Sequence, residues 1–150
     1  MRCILQRVLK ASVTIDNQQF CEIQQGLLIF LGIEQGDQKE DLDWLVNKIL
    51  SLRIFSDSNQ QMNLSINDIQ GELLIISQFT LFASTKKGNR PGFSKAAKPE
   101  EAKEWYLKFI SECEKLTGKP IKTGIFAADM KIQLINDGPV TIYIHTKNKE

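Results

Sequence analysis

Three features of the sequence predict an α/β fold: one domain over residues 1–150, built on a mixed, barrel-like curled sheet with two main helices. Residues 26–33 (GLLIFLGI) and 73–76 (LLII) are continuous apolar runs of strand length, rich in branched side chains, as in strands buried on both faces. Residues 37–53 and a stretch from Pro99 to Gly118 carry apolar residues at helical spacing. The remaining apolar segments are short and largely alternating, and 150 residues suffice for one sizeable core.

Taken in order, residues 2–15 read as a strand whose alternation is imperfect before Ala11, Val13 and Ile15 settle two apart. Asp16-Asn17 is a turn signal, and residues 20–23 form a short returning strand. Residues 26–33 are a central strand. In the first helix, residues 37–53, Asp37 is the expected N-cap with Glu40 in an acidic first turn. Its stripe is Leu42, Leu45, Val46, Ile49 and Leu52. Ile54-Phe55 is a brief strand, and Met62, Leu64 and Ile66 alternate as in a half-exposed one. The chain is organised around residues 73–84, LLIISQFTLFAS. Here Ser77, Gln78 and Thr80 interrupt the apolar run at the end of a core strand, and Leu81 and Phe82 resume the apolar pattern. Burying such groups without partners costs roughly 1–3 kcal/mol each. They either face a ligand or bond the neighbouring main chain. Residues 84–98 form a long basic loop, a kind of segment that often carries function. The second helix opens at Pro99 with Glu100 and Glu101 behind it. Ala102, Trp105, Tyr106, Phe109, Cys113 and Leu116 make its apolar face, and Gly118 its C-cap. Three strands are expected to close the chain: 121–127, 130–135 and 140–145, the last two joined by a turn at Asn136-Asp137-Gly138-Pro139.

Composition narrows the function. A net charge of +1 excludes a globally basic nucleic-acid binder but leaves local patches at Lys86, Lys87 and Arg90, at Lys119, Lys122 and Lys131, and at Lys147 and Lys149. Cys3, Cys21 and Cys113 are odd in number and unpatterned, which fits a reducing, cytoplasmic setting. No apolar run approaches the ~20 residues of a membrane span, and residues 1–13 do not resemble a signal peptide. With one histidine, His145, and no CxxC pair, no metal site is expected. His145 is also the sole candidate base for a Ser or Cys nucleophile, and no G-x-S-x-G elbow surrounds Ser77. No phosphate-cradling glycine loop occurs. An enzyme with this equipment would run an easy reaction, by positioning and oriented donors.

Two motifs, Ser77-Gln78-Phe79-Thr80 and Asn136-Asp137-Gly138-Pro139-Val140-Thr141, are together similar to the signature pair of the D-aminoacyl-tRNA deacylases. The opening IxQRVxxASVT, RIFSD at 53–57, RPGFSKAA at 90–97 and TGIFAADM at 123–130 extend the resemblance over essentially the whole chain. Gly92 departs from the Ser of many bacterial members. The resemblance implies that family's fold and a cytoplasmic homodimer without cofactor. It implies hydrolysis of the ester joining a D-amino acid, or glycine mischarged on tRNA(Ala), to the tRNA 3′ end. Neither a membrane nor DNA is an expected partner. By the same resemblance, Gly138-Pro139 is a cis peptide inserted into the partner's pocket to exclude L-substrates. Gln78 and the N–H groups of Phe79 and Thr80 stabilise the oxyanion, and Ser77 holds the adenosine end. Ala102, Phe126 and Met130 line the adenine pocket, while Lys86, Lys87 and Arg90 meet tRNA phosphates. Thr80 is left with two readings, a nucleophile or a positioning group. The alternatives are a non-catalytic tRNA-acceptor-binding module on the same fold, and a hydrolase of another activated ester using Thr80.

Overall fold

The computed structural model describes residues 1–149. One long strand, β1 (Arg2–Ile15), anchors the sheet. Along one edge it pairs first with β3 (Gly26–Gly32) and then, further along, with β2 (Gln18–Ile23). Along the other edge it pairs with β8 (Lys131–His145) over nearly its whole length. The sheet continues in parallel from β3 to β6 (Glu72–Ser77) and on to β7 (Lys122–Thr123). The Cys21 thiol of β2 donates to the Thr123 carbonyl of β7 at 3.3 Å, so the far edges approach and the curl nearly closes. A small ribbon of β4 (Phe55–Ser56) and β5 (Met62–Leu64) lies apart from this sheet.

The two continuous apolar runs follow from cores on both faces. Leu27, Ile29, Leu31, Leu73 and Ile75 pack toward the helices, whereas Leu28, Leu74 and Ile76 fill the barrel interior. β1 changes allegiance along its length. Cys3 and Leu5 belong to the helix-side core, and Val8, Ala11 and Val13 to the interior. The switch falls at Arg7-Val8, where the β1–β8 register also shifts, and it explains the imperfect alternation.

Helix α1 (Lys39–Ser51) buries Leu42, Leu45, Val46, Ile49 and Leu50, each contributing about 1.5–3 kcal/mol of apolar burial. Gln38, not Asp37, is its N-cap; the Asp41 carboxylate reaches back to the Gln38 N–H at 3.0 Å. Asp37 is drawn off by stronger partners: its buried carboxylate accepts from the Met1 ammonium and from the Glu34 N–H, both at 2.7 Å. Leu52 is displaced from the expected stripe because it is already the extended C-cap residue. Helix α2 (Pro99–Thr117) begins at Pro99 and ends on Gly118 at φ +67°, as expected. Its buried face is Ala102, Tyr106, Phe109 and Cys113; Leu116 is exposed.

The organising strand ends at Ser77, and the chain then tightens into a 3-10 turn, Phe79–Phe82. Two expectations of strand are corrected. Only Lys122–Thr123 of 121–127 joins the sheet, because the chain turns away at Ile125–Ala128, with Ala127 at φ +64°. The two final strands are a single strand, β8. Asn136 to Pro139 do not reverse the chain, since both halves pair with the same β1. Gln6 faces Thr141 and Val8 faces Asn136, so the four residues between are thrown out as a bulge.

Candidate functional site

The end of β6 delivers Ser77 beside Leu31 of β3, and the Gln78 N–H donates to the Leu31 carbonyl at 2.7 Å. The strand bond ends there. The 3-10 turn begins with Leu81 N–H donating to the Gln78 carbonyl at 3.2 Å. The N–H groups of Phe79 and Thr80 precede that first bond of the turn. Gly32 makes the tight turn possible: a Cβ there would lie 3.0 Å from both the Gln78 carbonyl oxygen and the Phe82 ring. Arg2 clamps the turn from behind, donating to the Leu81 carbonyl at 3.0 Å and lying 4.5 Å over the Phe82 ring. The Gln78 amide donates to the Thr80 hydroxyl by a short hydrogen bond.

These residues form the floor of a cavity of about 600 Å³. Ser77, Gln78 and Phe79 line it, with Ala102 at the start of α2, and Phe126 and Met130 from the segment after β7. The adenine-pocket trio therefore comes together with the polar cluster. Thr80 stands one step behind, joined to the cavity through Gln78. Tyr106 buttresses the wall: its hydroxyl donates to the Ile75 carbonyl at 2.7 Å, and its ring lies 5.9 Å from that of Phe126. Burial pushes the Tyr106 hydroxyl well above the usual phenol range, so it stays a proton donor. The one titratable residue lining the cavity is Asp129, whose exposed carboxylate pairs with Lys131 at 2.8 Å. His145 lies elsewhere, at the end of β8, 3.9 Å from Glu34. Among the described residues the cavity thus offers the Gln78 amide and the Ser77 hydroxyl, with Asp129 as its one carboxylate.

Lys86, Lys87 and Arg90 are exposed on a lobe closed by paired bonds between Ser84 and Gly92, at 2.7 and 2.9 Å. They do not line the cavity. A side chain at Gly92 would meet open space, so the departure at that position alters nothing nearby.

Gly138 and Pro139 do not line the cavity; they sit exposed on the β8 bulge. Their peptide bond is cis, as the resemblance implies. The bulge is gripped from beneath. Arg7, buried on β1, meets the Asp137 carboxylate at 2.9 Å and donates to the Asp137 and Ile54 carbonyls at 3.2 and 2.5 Å. The Asn136 amide spans the neck, donating to the carbonyls of Arg7 and Val140 at 2.9 and 3.0 Å. Arg7 was not singled out from the sequence as a site residue. The available signal was weak: an arginine directly before Val8 in a strand with several other polar residues, where burial is justified only by a fixed set of acceptors.

A nearly closed mixed barrel with two helices, and a cavity lined by Ser77, Gln78 and Phe79 with Asp129 held by Lys131, fit a hydrolase suited to an already activated ester. The model for the D-Tyr-tRNA(Tyr) deacylase family matches residues 4–145, and the chain belongs to that family. A D-aminoacyl-tRNA deacylase of Flavobacterium psychrophilum is 58% identical over 150 residues, covering 100% of both chains. One from Azobacteroides pseudotrichonymphae is 59% identical over the same 150 residues. A solved structure described as c-Myc DNA Unwinding Element Binding Protein superposes with a TM-score of 0.91 at 39% identity, covering 97% of this chain and 98% of that one. Another, described as a "probable eukaryotic D-amino acid tRNA deacylase", shares the fold at TM-score 0.81 and 16% identity, covering 95% and 97%.

Proposed function

We propose that this protein hydrolyses the ester of D-aminoacyl-tRNA, and of glycyl-tRNA mischarged on tRNA(Ala), in the cytoplasm as a homodimer. The observation that carries the reading is a cavity floor of Ser77 and Gln78 where the one acidic lining residue among those described, Asp129, is exposed and paired with Lys131. An aminoacyl ester is activated, and the neighbouring ribose hydroxyl assists its hydrolysis. The protein has only to orient it. The terminal adenosine packs against Ala102, Phe126 and Met130, with Ser77 holding its polar edge. Gln78 and the N–H groups of Phe79 and Thr80 stabilise the charge developing on the carbonyl oxygen. Thr80 positions Gln78 through their shared hydrogen bond and is not the nucleophile. Lys86, Lys87 and Arg90 meet tRNA phosphates and make affinity salt-sensitive.

Selection against L-substrates needs a wall on one side of the α-carbon. The Gly138-Pro139 bulge of a second copy supplies it, admitting D side chains and glycine by exclusion. The outward face around the bulge supports pairing: Leu9, Ile135 and Tyr143 are each about half exposed there. No helix among the described residues is long and apolar enough to cross a membrane.

The test is incubation with D-tyrosyl-, L-tyrosyl- and glycyl-tRNA while following ester loss, alongside sedimentation. The D and glycyl esters should be cleaved, the L ester spared, and the active species a dimer. Binding without turnover would leave a tRNA-acceptor-binding module. A fully active monomer would remove the cross-subunit wall.

A further inference from the structure

Two large aromatic side chains stand open at the mouth of the cavity. Phe79 is 55% exposed and Phe93 is 37% exposed, and both line the pocket. Their rings meet edge to face with centroids 5.0 Å apart and planes at 70°. An edge-to-face pair fixes both rings but leaves ring faces uncovered. Phe93 follows directly on the lobe whose neck the Ser84–Gly92 bonds close. Residues 84–98, which include that lobe and Phe93, carry Lys86, Lys87, Arg90, Lys95 and Lys98 and no acidic residue. Open aromatic faces beside a cationic, acid-free segment match what single-stranded nucleic acid requires: bases stack on the rings while cations follow the phosphates.

We propose that Phe93, braced by Phe79, stacks the base of the nucleotide preceding the terminal adenosine of the acceptor end. The inference rests on the proposed function, which puts that adenosine in the cavity against Ala102, Phe126 and Met130. The strand then leaves through the mouth, past the two rings and toward the basic lobe. The stack is a positioning contact. It holds the acceptor end in register so that the ester reaches Gln78, and it takes no part in bond making.

The test compares KM for two minimal substrates, 3′-O-D-tyrosyl-adenosine and the D-tyrosyl ester of the dinucleotide cytidylyl-adenosine. In the wild-type protein the added cytidine should lower KM about 5- to 100-fold, the range of one base–aromatic stack. Phe93→Leu should reduce that advantage to less than about threefold, with kcat on the dinucleotide moving far less than KM. Phe93→Trp, which keeps an aromatic face, should retain the advantage. A wild-type protein indifferent to the cytidine, or a Phe93→Leu protein that keeps the full advantage, overturns the stack, as does equal loss in the Leu and Trp variants. Wild-type protein inert on D-tyrosyl-tRNA itself would strike down the deacylase reading and the stack with it.

Discussion

The cavity floor and the β8 bulge are both rigid, but by opposite means. The floor is concave and ordered by main chain: a strand bond from Gln78 to Leu31, a 3-10 turn, and a glycine that allows close approach. The bulge is convex and ordered by side chains, with a buried guanidinium and an amide holding four residues, 137–140, opposite the single Arg7 of β1. Neither touches the other's task within one chain. The cavity has donors but no chiral wall, and the bulge has an exposed glycine and proline with no pocket of its own. On the proposed reading, a concave cavity and a convex bulge kept apart on one chain suit a site shared between two copies.

Breaking the bulge should have the largest effect. Arg7→Ala strips the Ile54 and Asp137 carbonyls and the Asp137 carboxylate of their partner. It should cost about 2–4 kcal/mol in urea denaturation, given a partly exposed Asp137. It should also lower the D-to-L activity ratio more than it lowers activity on D-tyrosyl-tRNA. A ratio that survives would detach discrimination from the bulge.

Gly138→Ala is the next test. Gly138 has φ +119°, a region that L side chains rarely adopt, and an added Cβ would lie 2.8 Å from the Arg7 guanidinium and 2.9 Å from Val140. The expected cost is about 1–3 kcal/mol in thermal denaturation, again with weakened rejection of the L ester. An unperturbed ratio would mean that the tip's shape is not read.

A smaller effect is expected on the floor. Thr80→Ala removes one exposed hydrogen bond to Gln78, worth about 0.5–1.5 kcal/mol, so D-tyrosyl-tRNA hydrolysis should fall no more than about tenfold. A loss beyond about a thousandfold, or a trapped aminoacyl–Thr80 adduct in mass spectrometry, would make Thr80 the nucleophile.

The smallest effect concerns the end of β8. Burial, then repulsion from Arg2 and the amino terminus, hold His145 below the usual histidine range despite Glu34. The folded state thus prefers the neutral ring. Its contribution is intact above pH 6.5 and is lost as pH falls from there through the lower folded value. Burial alone would raise Glu34, but Lys147 and the amino terminus outweigh it and hold it below 4.5, so its share is lost at still lower pH. Urea midpoints should fall modestly as pH is lowered from 7 to 5. His145→Gln should flatten that portion.

Much of the architecture was legible in the chain. The two-faced runs at 26–33 and 73–76, the helix opening at Pro99 and closing at Gly118, and the turn at Asp16-Asn17 all follow from local rules that the fold obeys. The misreadings cluster at the site. Gln78 looked like an interruption in a strand because the 3-10 turn depends on Gly32, which is remote in sequence. Residues 124–127 and Met130 looked like strand, yet they lie off the sheet and build the wall carrying Phe126 and Met130.

The sequence by itself determined the composition of the two cores, the helices and their ends, and the two motifs that place the chain in its family. Those depend on periodicity and on residue types that act within a few neighbours. Only the tertiary structure decided that Asn136 to Pro139 project as a bulge instead of reversing the chain. That outcome depends on Arg7 and on a ladder in which both halves of β8 meet one strand. The turn chemistry at 136–139 is real, but the hydrogen bonds of a long paired strand and a buried guanidinium outweigh it, and both come from more than a hundred residues away.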